Sequence, residues 1–333
     1  MSNHQAPVEA LLMRSILGQQ LVDTKLHTFS SRSAHPRKVI RPQALFVNDV
    51  VLIARSEFFA EILSRTGSLD ATFVDFDGGS EFEDGITLDD YGYASDSDLE
   101  DEEEDRNIRI SESEDDEDSD ILVLADTTSE NDALTSPPQA EKPIVPTLIQ
   151  HQPQVVNYRN ILVRDTAFRT LKAFLLYLYT DKTSFSPLKS QGPPGTDGQT
   201  PNPSTSWPCS PKSMYRLASK VRLDNLRDRA FYEIRNRLDA KNILQELSSS
   251  FTSKYPAILQ MNVEVLLQHI ASVPVIQNIP ALLRRITDSQ LPHGADIIIS
   301  LYQKFLLQHH PRALALANAP SDLKGKGGKK GKK

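Results

Sequence analysis

The stretch "LEDEEEDRNIRISESEDDEDSD", Leu99 to Asp120, sits between ordinary hydrophobic segments, almost a third of the way along a 333-residue chain. A run of like charge repels itself and is usually found at a terminus. Here the chain continues for two hundred residues more, so the run either links two domains or interrupts one. From Thr66 to Asp120 there are 23 Asp and Glu against two Arg. The whole chain carries −7, so the remainder carries +14, six of those charges being the lysines of the tail "KGKGGKKGKK". The sequence describes a mildly basic folding body with an acidic segment and a basic tail.

The apolar patterns define that body. Pro7 begins a helical stretch with Val8, Leu11, Leu12 and Ile16 on one face. Val22, Thr24, Leu26 and Thr28 alternate as in a strand, and "PQALFV" reads as a second strand. Asn48 is placed to cap a helix through "DVVLIAR", and Ser56 to cap "EFFAEILS". Residues 66–157 are too rich in Asp, Glu, Ser, Gly and Pro to bury a core and read as a disordered insertion, "ILVL" at Ile121 to Leu124 being one apolar exception. Order resumes with a strand at Ile161 to Val163 and a helix capped by Asp165 or Thr166, its stripe being Phe168, Leu171, Leu175 and Leu178. A Pro- and Gly-rich loop over 186–208 needs no fixed structure. Helices then follow from Ser210 and Pro211, from Asp224 and from Asp239, and prolines separate three more as far as His310.

Little here can carry catalysis. There is no phosphate-binding glycine loop, and the eight histidines fall in no metal-ligand spacing. The one cysteine, Cys209, lies in a Pro/Ser loop without a nearby histidine, and a single thiol builds no internal disulfide. The carboxylates crowd into a segment that cannot hold two of them at a fixed separation, as general acid–base work requires. No apolar run approaches about 18 residues, and acidic Glu9 with no basic stretch before the apolar part argues against a signal peptide. The expectation is a non-enzyme without cofactor or metal, in the cytoplasm or nucleus, without a membrane.

Four blocks, "LVDTKLHTFS", "ALFVNDVVLIARSEFFAEIL", "ILVRDTAFRTLKAFLLYLYTD" and "SMYRLASKVRLDNLRDRAFYEI", occur in an order that resembles a BTB/POZ domain. The likeness is nearest to fungal members that carry an acidic insertion before the third strand, and "NILQELSSSFTSKYP" is similar to their following helices. The resemblance implies an α+β fold: a three-stranded sheet with a helical cluster, interrupted by a disordered acidic insertion and followed by C-terminal helices. Its two parts would be residues 1–65 and 158–238, around the insertion at 66–157, with a helical extension at 239–318 and a Lys/Gly-rich tail at 319–333. Pairing across so long a loop is affordable, since each doubling of loop length costs only about 0.6 kcal/mol.

Function follows from the same resemblance. It implies a protein-binding adaptor, with Asp23, Asn48, Asp49, Phe58, Phe59, Tyr177 and Tyr179 as protein-binding residues. Partners would be a cullin-type scaffold or a second copy of the chain. The alternative is a nuclear oligomerising scaffold without a ubiquitin role, whose acidic insertion binds basic partners. Two departures bear on this choice. Asn48 and Asp49 stand where most members have His and a basic residue, so Asp23 and Asp49 would put two acids in one interface pocket. "SRTGSLD" stands where cullin-binding members have a hydrophobic-x-Glu contact. Within the insertion, Ile121, Leu122, Val123 and Leu124 after a run of acids resemble a SUMO-interacting motif, or else dock on the chain's own sheet. Ser95, Ser97, Ser111 and Ser113 each have an acid three residues on and are candidate phosphorylation sites. The Lys-rich tail offers at most weak, salt-sensitive contact with nucleic acid.

Overall fold

A computed structural model describes residues 5–35, 37–64, 71–76, 84–93, 95–102, 158–192 and 207–311. Helix α1 (Gln5–Ile16) leads into a long antiparallel hairpin of β1 (Thr24–Ser33) and β2 (Lys38–Val47), in register from Thr24 opposite Val47 to Ser33 opposite Lys38. Both strands extend beyond their alternating cores, because the hairpin also runs through the polar "SSRS" and "KVIR" residues. Asn48 ends β2 and caps α2 (Asp49–Arg55), accepting from the N–H groups of Val50 and Val51. Helix α3 (Glu57–Ser64) follows at once.

Three short strands come next: β3 (Phe73–Asp75), β4 (Ile86–Thr87) and β5 (Glu100–Asp101). Beyond residues 103–157 the chain re-enters as β6 (Arg159–Val163), parallel to β1, with Leu26 opposite Ile161. Strands from before and after 103–157 therefore share one sheet, in the order β3-β6-β1-β2-β4, with β5 pairing the far end of β1. The fold is mixed α+β. Its sheet has six strands rather than the three expected, the additional three coming from residues 73–101.

This corrects the reading of 66–157 as a segment without core residues. Phe73, Tyr91, Tyr93 and Leu99 are all buried in the central hydrophobic cluster. The run "EFEDGITLDDYGYASDSDLE" is acidic on average, but Tyr91, Tyr93 and Leu99 are buried and Ile86 and Leu88 pack half-buried against the same core. Gly85 has φ +80, and a side chain there would collide with the Val39 carbonyl oxygen as β4 closes on β2.

Helix α4 (Phe168–Thr180) buries Leu171, Leu175 and Leu178 of the expected stripe together with Phe174, while Phe168 is only half-buried. Its cap is Ala167, not Asp165 or Thr166, because both of those side chains are turned to other partners. The Pro/Gly-rich loop is folded at both ends. Leu188 is buried, Lys189–Gln191 form a 3-10 turn, and Phe185 bridges to buried Cys209. Ser210 caps α5 (Pro211–Lys220), accepting from Ser213 N–H, and α6 (Asp224–Asn236) packs against it.

The C-terminal helices are α7 (Ile243–Leu247), α8 (Ser250–Lys254), α9 (Pro256–Gln268), α10 (Val273–Thr287) and α11 (Gly294–His309). Helix α10 runs unbroken through Pro280. These helices share the core of the sheet domain: the Tyr215 ring meets Phe251 and Tyr255 at 5.9 and 5.3 Å, and Lys212 pairs with buried Glu246. No described helix is long and apolar enough to cross a membrane.

Candidate interaction surfaces and the buried carboxylate clamp

The residues named from the resemblance around Asp23 do come together, but largely as a brace. Asn48 is buried; its Nδ2 donates to the Leu21 carbonyl at 3.0 Å and to the Asp23 carboxylate at 2.9 Å. The Asp49 N–H also donates to Asp23, at 3.3 Å, and the Asn48 N–H donates to the Tyr179 hydroxyl at 2.9 Å. Arg14 of α1 approaches Asp23 at 3.9 Å. Burial raises the Asp49 carboxyl above its usual range; Thr24 opposes this, Asp23 adds to it, and Arg159 opposes it. Asn48 and Tyr179 thus join the start of α2 to β1 and α4, and neither is free to engage a partner. Asp23, Asp49 and Tyr179 of this group are part-exposed.

Three other expected contact residues are structural. Phe59 is buried, and Phe58 packs edge-on against it and against Phe73, with centroids 5.5 and 5.4 Å away. Tyr177 is buried, with the guanidinium groups of Arg55 and Arg229 over its ring at 5.9 and 5.6 Å. The sequence "SEFF" suited a contact motif equally well, but two adjacent aromatics on a helix cannot both face outward beside a sheet.

Exposed apolar side chains lie instead on α1 and α2, which pack against each other, and along α10 and α11, where Val273, Ile276, Leu283, Ile298, Ile299, Tyr302, Phe305 and Leu307 are open to solvent. Leu12, Met13 and Ile16 on the first, Leu17 just past its end, and Val50 and Ile53 on the second are all open to solvent, Ile16 by 84 % and Leu17 by 71 %. Sequence reasoning placed Ile16 in a helical apolar pattern, and a 12-residue amphipathic helix does not declare what its apolar face meets.

The acidic segment builds a second, buried cluster. Asp98 accepts the Ser210 N–H at 2.9 Å on both oxygens and the Thr170 hydroxyl at 2.6 Å. Asp96 accepts from the Ser213 hydroxyl at 2.5 Å and from the Ala167 N–H at 3.4 Å. Two carboxylates two residues apart thereby hold the N-termini of both α4 and α5, where exposed N–H groups and the helix dipole favour negative charge. Alongside, Arg216 donates to Asp165 Oδ2 at 3.0 Å and to the carbonyl of the same residue, and its guanidinium lies 4.4 Å over Tyr93. Lys220 reaches Asp165 at 3.0 Å and also binds the Thr72 hydroxyl. Burial pushes Asp165 upward, but Arg216 and Lys220 outweigh it and hold this carboxyl below its usual range. Asp98 has no ion pair among the described residues: burial first, then Asp96, raise it to about 6 despite the hydrogen bonds from Thr170 and Ser210 and the charge of Arg169.

Of the serines proposed for phosphorylation, Ser95 is exposed, whereas the part-buried Ser97 hydroxyl lies 2.7 Å from that of Ser210. Ser111, Ser113 and the run Ile121, Leu122, Val123, Leu124 lie outside the described residues. Burial also raises the Cys209 thiol well above its usual range, which suppresses nucleophilic chemistry there. Among the described residues no group of three or more His, Cys, Asp or Glu side chains is placed to hold a metal ion. Compared with models of known protein families and with curated proteins, the chain matches none.

Proposed function

We propose that this chain is a non-catalytic protein-interaction module of BTB/POZ type that works as an adaptor. The observation that carries the reading is the exposed apolar surface of α1 and α2, an uncommon expense of solubility unless a protein covers it. The order of elements supports it: a hairpin, two short helices, a third strand parallel to the first, then a helix and a helix pair follow the order of the four sequence blocks. A second copy of the chain is the first occupant of that surface. Asp23 presents no obstacle, since Asn48, the Asp49 N–H and Arg14 already surround it. A cullin-type scaffold is the second partner, with recruitment of a client for ubiquitin transfer as the outcome.

The missing hydrophobic-x-Glu contact after "AEILS" favours a second reading, an oligomerising nuclear scaffold whose acidic stretch engages basic partners or, through Ile121 to Leu124, SUMO. Mixing the purified chain with a purified cullin-type scaffold separates the two. Co-elution as one complex supports the adaptor; separate elution at tens of micromolar of each overturns it in favour of the second reading.

A further inference from the structure

Strand β2 lies between β1 and β4, but β4 covers only its Lys38 and Val39. Beyond Arg41, whose φ of 57 interrupts the strand, no described strand pairs with its outer side. The register fixes which backbone groups that leaves open. On the far side of β1 the Arg159 N–H donates to the Asp23 carbonyl, so in the parallel ladder Lys25 and His27 turn their backbone groups toward β6. Backbone groups alternate along a strand, so those of Thr24, Leu26 and Thr28 turn toward β2 and meet Val47, Leu45 and Gln43. Pro42, Ala44 and Phe46 therefore point away from the sheet. The position of Pro42 agrees, since a residue without an N–H is tolerated where a strand has no neighbour to bond. The Pro42 carbonyl and both backbone groups of Ala44 and of Phe46 have no hydrogen-bond partner among the described residues.

Side chains mark the same edge. Phe46 is 54 % exposed, with the Lys25 ammonium 5.5 Å over its ring and Tyr158 edge-on at 5.6 Å. Ala44 stands between Phe46 and Pro42 on that face of the sheet, and its small side chain leaves a step between two larger ones. The other face of the same edge carries half-buried Leu45 and exposed Gln43.

We propose that this edge takes an extended segment of a partner protein as an added strand, with a large apolar residue seated opposite Ala44 between Phe46 and Pro42. Open N–H and C=O groups at alternate residues are the pattern that another strand satisfies, and the step at Ala44 selects the side chain. A second copy of the chain fits less well. Paired antiparallel about Ala44, each Phe46 carbonyl would face the Pro42 of the other copy, which has no N–H to give. A segment without proline satisfies every open group. The edge shares no side chain with the apolar surface of α1 and α2, and the proposal does not rest on self-association.

The test follows the fluorescence anisotropy of the uncharged-overall peptide Lys-Thr-Val-Phe-Val-Thr-Glu-amide, labelled with fluorescein at its N-terminus, as the full chain is added. Its Phe is meant for the step at Ala44, and the symmetric core pairs equally well in either direction. Two N-methylated forms are the controls. Methylation of the Phe nitrogen removes the N–H that faces Ala44, whereas methylation of both Val nitrogens removes N–H groups that face away. The expected result is a saturable rise that weakens roughly tenfold on methylation at Phe and stays within about twofold on methylation at the valines. In the chain, Ala44→Pro removes the open N–H without touching the ladder to β1, and it weakens binding to a similar extent. An unchanged melting curve verifies that this variant folds, and the two methylated peptides need no variant at all. No saturable rise at high micromolar chain, an equal response to the two methylated peptides, or undiminished binding by the folded variant overturns the proposal. An edge already paired to a second copy or to the chain's own residues takes up no peptide and overturns it likewise.

Discussion

Asp98→Asn isolates the energetics of the buried clamp. In the folded protein Asp98 keeps its proton to about pH 6, against an ordinary carboxyl value of 3.8. At one pKa unit per 1.36 kcal/mol, ionising it in place costs about 3 kcal/mol more than ionising it in the unfolded chain. Between the two values the native state binds more protons than the unfolded state, so this residue's contribution makes stability fall as pH rises and levels off above about pH 6. Asparagine keeps an oxygen for the Ser210 N–H and turns its amide toward the Thr170 hydroxyl, which can accept. It replaces the protonated acid imperfectly in these hydrogen bonds, a penalty of about 1–2 kcal/mol that shows at low pH. Urea unfolding of both proteins from pH 4 to 7.5 reads the difference. Relative to wild type, the variant gains about 2.5 kcal/mol across that range, starting less stable and ending equal or more stable. A difference constant to within about 0.5 kcal/mol would refute the assignment of a raised carboxyl to Asp98.

The other predictions concern the segment around it and the cap at Asn48. Joining Glu102 to Tyr158 through a Gly/Ser linker of about twenty residues leaves a cooperative unfolding transition. Removing 66–157 whole abolishes it, since Phe73, Tyr91, Tyr93 and Leu99 go with it, at about 2–5 kcal/mol for each large core side chain; circular dichroism melts compare the two. Asn48→Ala costs about 2–4 kcal/mol in urea unfolding, because it removes the cap of α2 and leaves the Leu21 carbonyl and Asp23 without the Nδ2 donor. In a kinase time course followed by mass spectrometry, Ser95 is phosphorylated before Ser97 in the folded chain and the two at similar rates in urea-unfolded chain; equal rates in both states contradict the packing of Ser97 against Ser210.

The parts of the fold that could be read from sequence are those governed by short-range rules. Asn48 and Ser210 declared themselves as caps because the residue type and the apolar period after it specify the same helix start. The strand at Ile161 to Val163 was legible as an apolar run, though its pairing with Thr24 to His27 is a contact no local pattern encodes. Residues 71–102 were misread for a physical reason. Average charge describes what a segment does in isolation, whereas Asp96 and Asp98 are buried against helix N-termini that exist only in the finished fold. Asp165 was recognised as a polar start for α4 but serves Arg216 and Lys220 instead, a partnership set by α5 some fifty residues on. The contact residues borrowed from the resemblance fared unevenly, since Phe59 and Tyr177 are core and the solvent-facing surface is carried by Ile16 and Leu17.

Sedimentation velocity of the full chain over a hundredfold concentration range, beside a Met13→Glu, Ile16→Glu double variant, tests the proposed interaction module most directly. Both side chains are exposed in the single chain, so the variant should melt like wild type to within about 0.5 kcal/mol of stability. The account predicts a wild-type dimer that tightens as the pH is lowered from neutral toward the carboxylate range, because a covering partner buries the already raised Asp49 carboxyl further and favours its protonated form. It predicts a monomeric variant at every concentration. A wild-type chain that stays monomeric at high micromolar concentration, or a variant that dimerises as well as wild type, would contradict it.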